Sequence, residues 1–577
     1  MTQVEKIPNY LNPYIVAQDA TQYTPIDHAS WRYIMTISRE FFAKHAHPLY
    51  LKGLKETGIS TERIPLISEM DEKLRRFGWQ AVAVSGFIPP AVFMEFLSRG
   101  ILPIACDMRK LENIAYTPAP DIVHEAAGHA PIIADPEYAK YLRHYGELAE
   151  KAIFSKQDMD VYEAVRALSE IKEDPRSTPE EIKAAEMLLD EASAAVDHVS
   201  EATQLGRMGW WTIEYGLLGD ETDPKIYGAG LLSSVGESYN CLKPHVKKIP
   251  LTVDCVDVTY DITRPQPQLF IARDFKALVQ ALDDLAERLA FRQGGVESLK
   301  KAKKAAALTT TVLESGIQIS GVLERFECDA AGELSFLKYS GPVQLCHENK
   351  EIPGQGPEHH PQGFSSPVGK IRGLGKTAAE LTDTDLKNLG NPARIQFESG
   401  IKLEGTLTGS TKKDGKIILL SFKDCAVRAA NGDLLFDPSW GAFDLACGSR
   451  AISVHGWAAD RARYLEATGG FNQAPGRQKT NLTNDNRPLN QLYARVRATR
   501  EAGKPDAKAI GELATIHSEL EARHPSDWLL RYELLELDHI HKLKSPWKDS
   551  IKHRLDEMAA VSQENRELIH RGLELIQ

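Results

Sequence analysis

Residues 120–131 read P-D-I-V-H-E-A-A-G-H-A-P and place two histidines five positions apart, His124 and His129, with Glu125 between them. Neutral imidazoles suit iron, zinc and copper, and a neighbouring carboxylate can coordinate, take a proton or orient a partner. The spacing differs from that of zinc hydrolases with H-E-x-x-H, whose histidines at i and i+4 share one helix face. On a regular helix, positions i and i+5 point roughly 140° apart, from 3.6 residues per turn. Two backbone solutions let the pair meet at one metal. A local π turn brings the side chains together, and such turns often mark functional sites. Alternatively the helix ends at Gly128, which that glycine and Pro131 permit.

Two histidines leave a metal short of ligands. The run W-W-T-I-E-Y-G-L-L, residues 210–218, supplies a third candidate, because Glu214 is its one charged residue. A carboxylate among aromatic and aliphatic neighbours is costly without a cation beside it. Two histidines and one carboxylate make the facial triad of non-haem iron(II) oxygenases, which keeps other positions open for oxygen and co-substrate.

The chain around this constellation has 577 residues, enough for two to four cores. Its hydrophobic content of 42% and charged content of 26% are ordinary for a globular protein. A net charge of −11 argues against nucleic acid and against an anionic membrane surface as partners. No apolar run approaches the roughly 18 residues of a membrane-spanning helix, and residues 1–10 lack the apolar core of a signal peptide. Seven scattered cysteines without a C-x-x-C pair fit a reducing cytoplasm.

The first ~300 residues read as mostly helical. Pro90 stands at a first helical position, and Gly100 closes that helix. Thr178 caps a new helix with Pro179 in first place, and Asp274 caps another. After ~310 the grammar changes to short Val, Ile, Thr and Phe runs broken by Gly, Asp and Asn, a strand-and-turn pattern. The segment I-P-G-Q-G-P-E-H-H-P-Q-G-F-S-S-P between those runs is a loop by composition, and its His359-His360 pair reads as solvated. From ~486 onward the sequence is charged and helix-prone, as in W-L-L-R-Y-E-L-L-E-L.

His124, Glu125, Gly128, His129 and Glu214 resemble the pterin-dependent aromatic amino acid hydroxylases. The flanking runs Y-T-P-A-P-D-I-V-H-E-A-A-G-H-A-P, W-T-I-E-Y-G-L, Y-G-A-G-L-L-S-S-V-G-E (227–237) and Q-Y-T-P-I-D-H-A-S-W (22–31) share the likeness, which covers roughly residues 20 to 295. The resemblance implies a monooxygenase that uses Fe(II), a tetrahydropterin such as tetrahydrobiopterin, and O2 to hydroxylate the ring of a free aromatic amino acid. It implies His124, His129 and Glu214 as iron ligands and Glu125 as a pterin neighbour. Gly86, Phe87, Ile88 and Phe93 match the pterin loop and its stacking phenylalanine. Arg109 matches the arginine that holds the substrate carboxylate, a role suited to a guanidinium fork. Thr117, Gly230 and Ser233 match the polar pocket around the amino acid, and Trp210 and Tyr215 its aromatic wall.

By the same resemblance, Trp210 matches a position where the tryptophan enzymes have a smaller aromatic, so it should crowd a substrate indole, and Ile262 matches one where the tyrosine enzymes tend to have an acid, so it should suit an unhydroxylated ring. Both favour L-phenylalanine, giving L-tyrosine. Tryptophan or tyrosine hydroxylation is the alternative within the family, and a zinc hydrolase using Glu125 as base is a remote one. Three features depart from the family pattern. Extra residues near 153–197 read as an added helical hairpin, Gly209 stands where an aromatic is usual and would open the pterin pocket, and a long C-terminal half replaces a short tetramerising helix. The expected layout is multidomain: a mainly α catalytic domain of the aromatic amino acid hydroxylase type (1–305), a β-rich domain (306–482) with a Pro/Gly/His loop at about 350–368, and a C-terminal helical region (483–577). The C-terminal half shows no motif for chemistry and reads as a binding module or as the seat of a homo-oligomer.

Overall fold

Thr24 opens the first long helix, Pro25–His45, with a capping box: its hydroxyl accepts from the Asp27 N–H while the Asp27 carboxylate accepts from the Thr24 N–H. The computed structural model describes residues 7–576 other than 87, 116–120, 174–176, 263, 471–486 and 562. Helix Pro25–His45 buries Trp31, Tyr33, Ile34, Ile37 and Phe42 in the largest apolar core of the molecule. Two small sheets complete this part. One is the parallel pair Gln80–Val84 and Ile101–Ala105, and the other runs in the order Lys225–Ile226, Leu217–Leu218, Gln268–Ala272, Lys247–Pro250. Local signals act as the sequence implies. Pro90–Ser98 is a helix that ends before Gly100 at φ +66°, and Asp274 caps Phe275–Ala286. Thr178 and Glu181 form a capping box on Pro179–Ala194, which pairs with Lys156–Glu173 as a helical hairpin.

Beyond this core the described residues form two antiparallel sheets. In the first, Lys350–Glu351, Leu334–His347, Ile317–Cys328, Leu308–Leu313 and Ala451–Gly456 lie side by side, so a late strand returns to pair with the earliest. Gly363–Pro367 adds to Leu334–His347, so the end of the segment read as loop is in fact strand. The second sheet holds Ala393–Gln396, Lys402–Lys413, Lys416–Arg428 and Leu434–Phe436, with Phe443–Ala446 also paired to Lys416–Arg428. Helix Pro90–Ser98 joins this half to the first, because its buried Glu95 accepts from both Tyr10 and Arg461.

The chain closes with helices Arg487–Glu501, Ala507–Arg523, Leu529–His541, Lys548–Val561 and Gln563–Glu574. Their apolar residues belong to the same core as the first helix. Leu529–His541 is buried on every face over Leu529–Asp538, a helix sealed inside a larger body rather than one laid on a surface. Arg32 donates to Glu533 and Glu536, Tyr33 donates to the Leu568 carbonyl at 2.5 Å, and Arg571 donates to the Val235 carbonyl at 2.8 Å. These helices therefore finish the core of the N-terminal part. Among the described residues, no helix is long and apolar enough to cross a membrane.

Candidate active site

The stretch Val123–His129 is a π-helical segment. Its N–H groups bond five residues back, which brings positions i and i+5 onto one side. The Nε2 atoms of His124 and His129 stand 3.2 Å apart. Neighbouring groups accommodate the irregular backbone: the Ala127 carbonyl accepts from the Tyr50 hydroxyl at 2.9 Å, and the Asp121 carboxylate accepts from the His124 N–H at 3.0 Å. Gly128 permits the segment to touch helix Ala229–Ser233, since a Cβ there would lie 2.7 Å from the Ala229 carbonyl oxygen.

Glu214 comes from a second π-helical segment, Trp210–Glu214. Its Oε1 lies 3.3 Å from His129 Nε2 and its Oε2 lies 3.3 Å from His124 Nε2. Edges of that length are spanned by ligands roughly 2.1 Å from a common centre at angles near 100°, the bond length of nitrogen- and oxygen-bound first-row metals. Burial raises the Glu214 carboxyl, but His129 and His124 outweigh it and hold the group well below the usual carboxylate range. The side chain of His129 is 2% exposed whereas His124 and Glu214 are 18% and 23% exposed, so one side of the triangle stays open.

Ser233 touches this centre directly. Its hydroxyl donates to the Ala229 carbonyl at 2.8 Å and lies 3.0 Å from His124 Nδ1. The serine oxygen then accepts the Nδ1 proton, which leaves the Nε2 lone pair of His124 facing Glu214 and His129. Sequence reading placed Ser233 among the substrate contacts; the structure engages its hydroxyl with His124. Arg109 is also committed. Nε and Nη2 grip Asp121 at 2.7 and 2.8 Å, and Nη1 donates to the Ser233 carbonyl at 3.1 Å. Among the described residues, three of its five N–H groups are engaged.

Glu125 lies beside the triangle, with Oε2 3.7 Å from His129 Nε2 and, among the described residues, without a hydrogen-bond partner despite its burial. Burial pushes its carboxyl up to about 8 against the pull of His129, with Glu214 and Asp121 adding to the rise. Trp210 is sandwiched between Tyr215 at 4.5 Å and Tyr260 at 4.2 Å, a three-ring stack. Sequence reading missed Tyr260, which lies two positions before Ile262 and whose ring only the fold brings over Trp210. Gly230 lets its helix approach this wall, since a Cβ there would meet the Tyr215 ring at 2.9 Å. Gly209 does not open a pocket, because a Cβ there would lie 2.5 Å from the Tyr145 hydroxyl and Tyr145 fills that space. Ile262 stands 48% exposed on the turn beyond Tyr260. Gly86 is exposed at φ +64°, while Ile88 and Phe93 pack half-buried on either side of helix Pro90–Ser98. Phe87 and Thr117 lie outside the described residues.

The sequence pattern described as biopterin-dependent aromatic amino acid hydroxylase matches residues 14–154 and 187–318, skipping much of the helical hairpin. A phenylalanine-4-hydroxylase of Ralstonia nicotianae is 28% identical over 286 residues, covering 47% of this chain and 77% of the relative. One from Pseudomonas aeruginosa is 29% identical over 262 residues, covering 45% of this chain and 82% of the relative. A crystal structure of Chromobacterium violaceum phenylalanine hydroxylase with iron(III) and 7,8-dihydrobiopterin is 25% identical, covering 48% of this chain and 87% of that one, with a TM-score of 0.38. Residues 14–154 and 187–318, which carry both histidines and the glutamate of the triangle, belong by this match to the biopterin-dependent aromatic amino acid hydroxylases.

Proposed function

We propose that this protein is a phenylalanine 4-monooxygenase that converts free L-phenylalanine to L-tyrosine with iron(II), a tetrahydropterin and O2. The observation that carries this reading is the triangle of two imidazole nitrogens and one carboxylate with edges of 3.2 to 3.3 Å, in a chain whose relatives are named phenylalanine-4-hydroxylases. His124, His129 and Glu214 hold the iron. When bound, iron(II) and tetrahydropterin would supply the electrons that reduce O2, one atom of which enters the ring.

The chain's own groups bind, orient and exclude water. Ser233 keeps the His124 proton on Nδ1, so Nε2 stays a lone-pair donor. Asp121 ties the entry of the His124 segment to Arg109 through one carboxylate, so metal ligand and amino acid anchor share a rigid frame. The Arg109 guanidinium reads the substrate carboxylate. The Glu125 carboxyl, with an oxygen that has no hydrogen-bond partner among the described residues, is the group that meets the polar edge of the pterin ring. Gly86, Phe87, Ile88 and Phe93 belong to the pterin side. Thr117, Gly230 and Ile262 belong to the amino acid side, with the stack of Trp210, Tyr215 and Tyr260 as its wall. A braced indole leaves room for a phenyl ring rather than a second indole, a preference worth roughly 1–3 kcal/mol. Seven cysteines without a disulfide suit a reducing cytoplasm.

The test is turnover by iron-reconstituted protein with a tetrahydropterin, O2 and each of phenylalanine, tyrosine and tryptophan. Tyrosine should accumulate from phenylalanine, and Glu214→Ala should lose both iron and product. Iron-loaded protein that makes no tyrosine would refute the assignment.

A further inference from the structure

We propose a second metal site, for a divalent first-row transition-metal ion of the zinc class, formed by His359, His360 and Asp444 in the β-rich half. A ring nitrogen of each histidine and a carboxylate oxygen of Asp444 lie within 4.8 Å of one another. His359 Nε2 stands 3.3 Å from Asp444 Oδ2. That separation matches one edge of a tetrahedron of ligands about 2.0–2.1 Å from zinc. Two imidazoles and one carboxylate form a borderline donor set, which selects such ions over calcium or magnesium.

The surroundings are those of a built site. Asp444 sits on strand Phe443–Ala446 opposite Ser421, and its side chain is 3% exposed. Its Oδ1 accepts from the Ser421 hydroxyl at 2.5 Å, and its Oδ2 accepts from Gln355 Nε2 at 3.3 Å. Among the described residues, its one ion-pair partner is His359, so this buried carboxylate faces no lysine or arginine. A bound dication supplies the missing charge. Gln355 also orients His360: its Oε1 is 2.7 Å from His360 Nε2 and takes that proton, leaving Nδ1 with a free lone pair. A histidine whose other nitrogen donates to an amide or carboxylate oxygen is the usual companion of metal ligation. His359 is 44% exposed, so the site opens to solvent and leaves a position for water. The metal would tie the loop carrying His359 and His360 to a strand 85 residues further along from His359.

The experiment measures zinc binding to the full chain carrying His129→Ala, which removes the first centre. Zinc content is read after desalting, and cobalt absorption reports the coordination. One tightly held equivalent is expected, with a raised melting temperature on zinc addition. Adding His359→Ala and His360→Ala should weaken binding at least tenfold and abolish the melting shift, with an unchanged circular dichroism spectrum. Asp444→Asn should act likewise. Zinc bound equally well by the protein with and without the two histidine substitutions would overturn the proposal, as would no retained equivalent in the His129→Ala protein. In the otherwise native holoenzyme, His359→Ala should leave tyrosine formation unchanged.

Discussion

Arg32→Met tests whether the C-terminal helices are structural partners of the hydroxylase core. Arg32 Nη2 lies 2.6 Å from Glu533 Oε1, and the same guanidinium also holds Glu536. Arg500 Nη2 lies 3.1 Å from Glu533 and 3.0 Å from Glu536, so two cations balance two carboxylates. The four side chains are only 6%, 13%, 5% and 6% exposed for Arg32, Arg500, Glu533 and Glu536. Removing Arg32 leaves a surplus buried negative charge, and breaking such a pair costs about 3–5 kcal/mol. Unfolding entropy of roughly 2 cal/mol/K per residue turns this into a fall on the order of 5 °C in Tm for a unit this large. Differential scanning calorimetry should show the loss in one transition shared by the N-terminal core and the C-terminal helices. Adding Glu536→Gln removes the surplus charge and should recover at least half of it. A variant melting within 1 °C of the parent, or losing the C-terminal helices in a separate early transition while the core is untouched, would refute the argument.

Ser233→Ala leaves His124 Nδ1 without its acceptor, so iron affinity should fall about 10–100-fold with little change in the fold. Metal content against a chelator series measures it. Gly128→Ala drives a methyl into the Ala229 carbonyl, where a Cβ would stand at 2.7 Å. The variant should lose about 1–3 kcal/mol of stability and bind iron more weakly, both readable from melts with and without iron. Burial pushes the Glu237 carboxyl up to about 7 from 4.5, so the folded state holds its proton through that interval while the unfolded chain releases it. Stability should therefore be highest below pH 4.5 as far as this group is concerned, fall by about 3 kcal/mol as pH rises to 7, and stay level above. Glu237→Gln mimics the protonated form, so it should melt above the parent at pH 8 and alongside it at pH 4. Equal melting at both pH values would remove Glu237 as the cause.

Much of the site was legible because it rests on short-range grammar. The five-residue spacing of His124 and His129 demands a non-α backbone, and the π segment Val123–His129 meets that demand. Glu214 stood out because a lone carboxylate in an aromatic run needs a cation. Capping signals at Thr178 and Asp274 also located their helices, because a cap is a contact between residues three apart.

Other features depend on residues that only meet in three dimensions. The C-terminal helices read as a separate module because charged, helix-prone sequence looks alike on a surface and inside a salt-bridged core. Arg531, Glu533 and Glu536 are buried there, which polar composition argues against until their partners are located. Gly209 read as an opening until Tyr145 was found to fill the space. His359-His360 read as solvent-facing because Asp444 and Gln355, which give the pair its chemistry, come from other segments.

The candidate donor residues, their local backbone demand and the family likeness are written in contiguous residues, so they can be read without a fold. Tertiary structure alone decided which groups orient those donors, how the C-terminal helices complete the core, and where a second set of donors converges. Each of those depends on long-range packing that brings side chains together across hundreds of residues, as with Arg32 and Glu533 at a separation of 501.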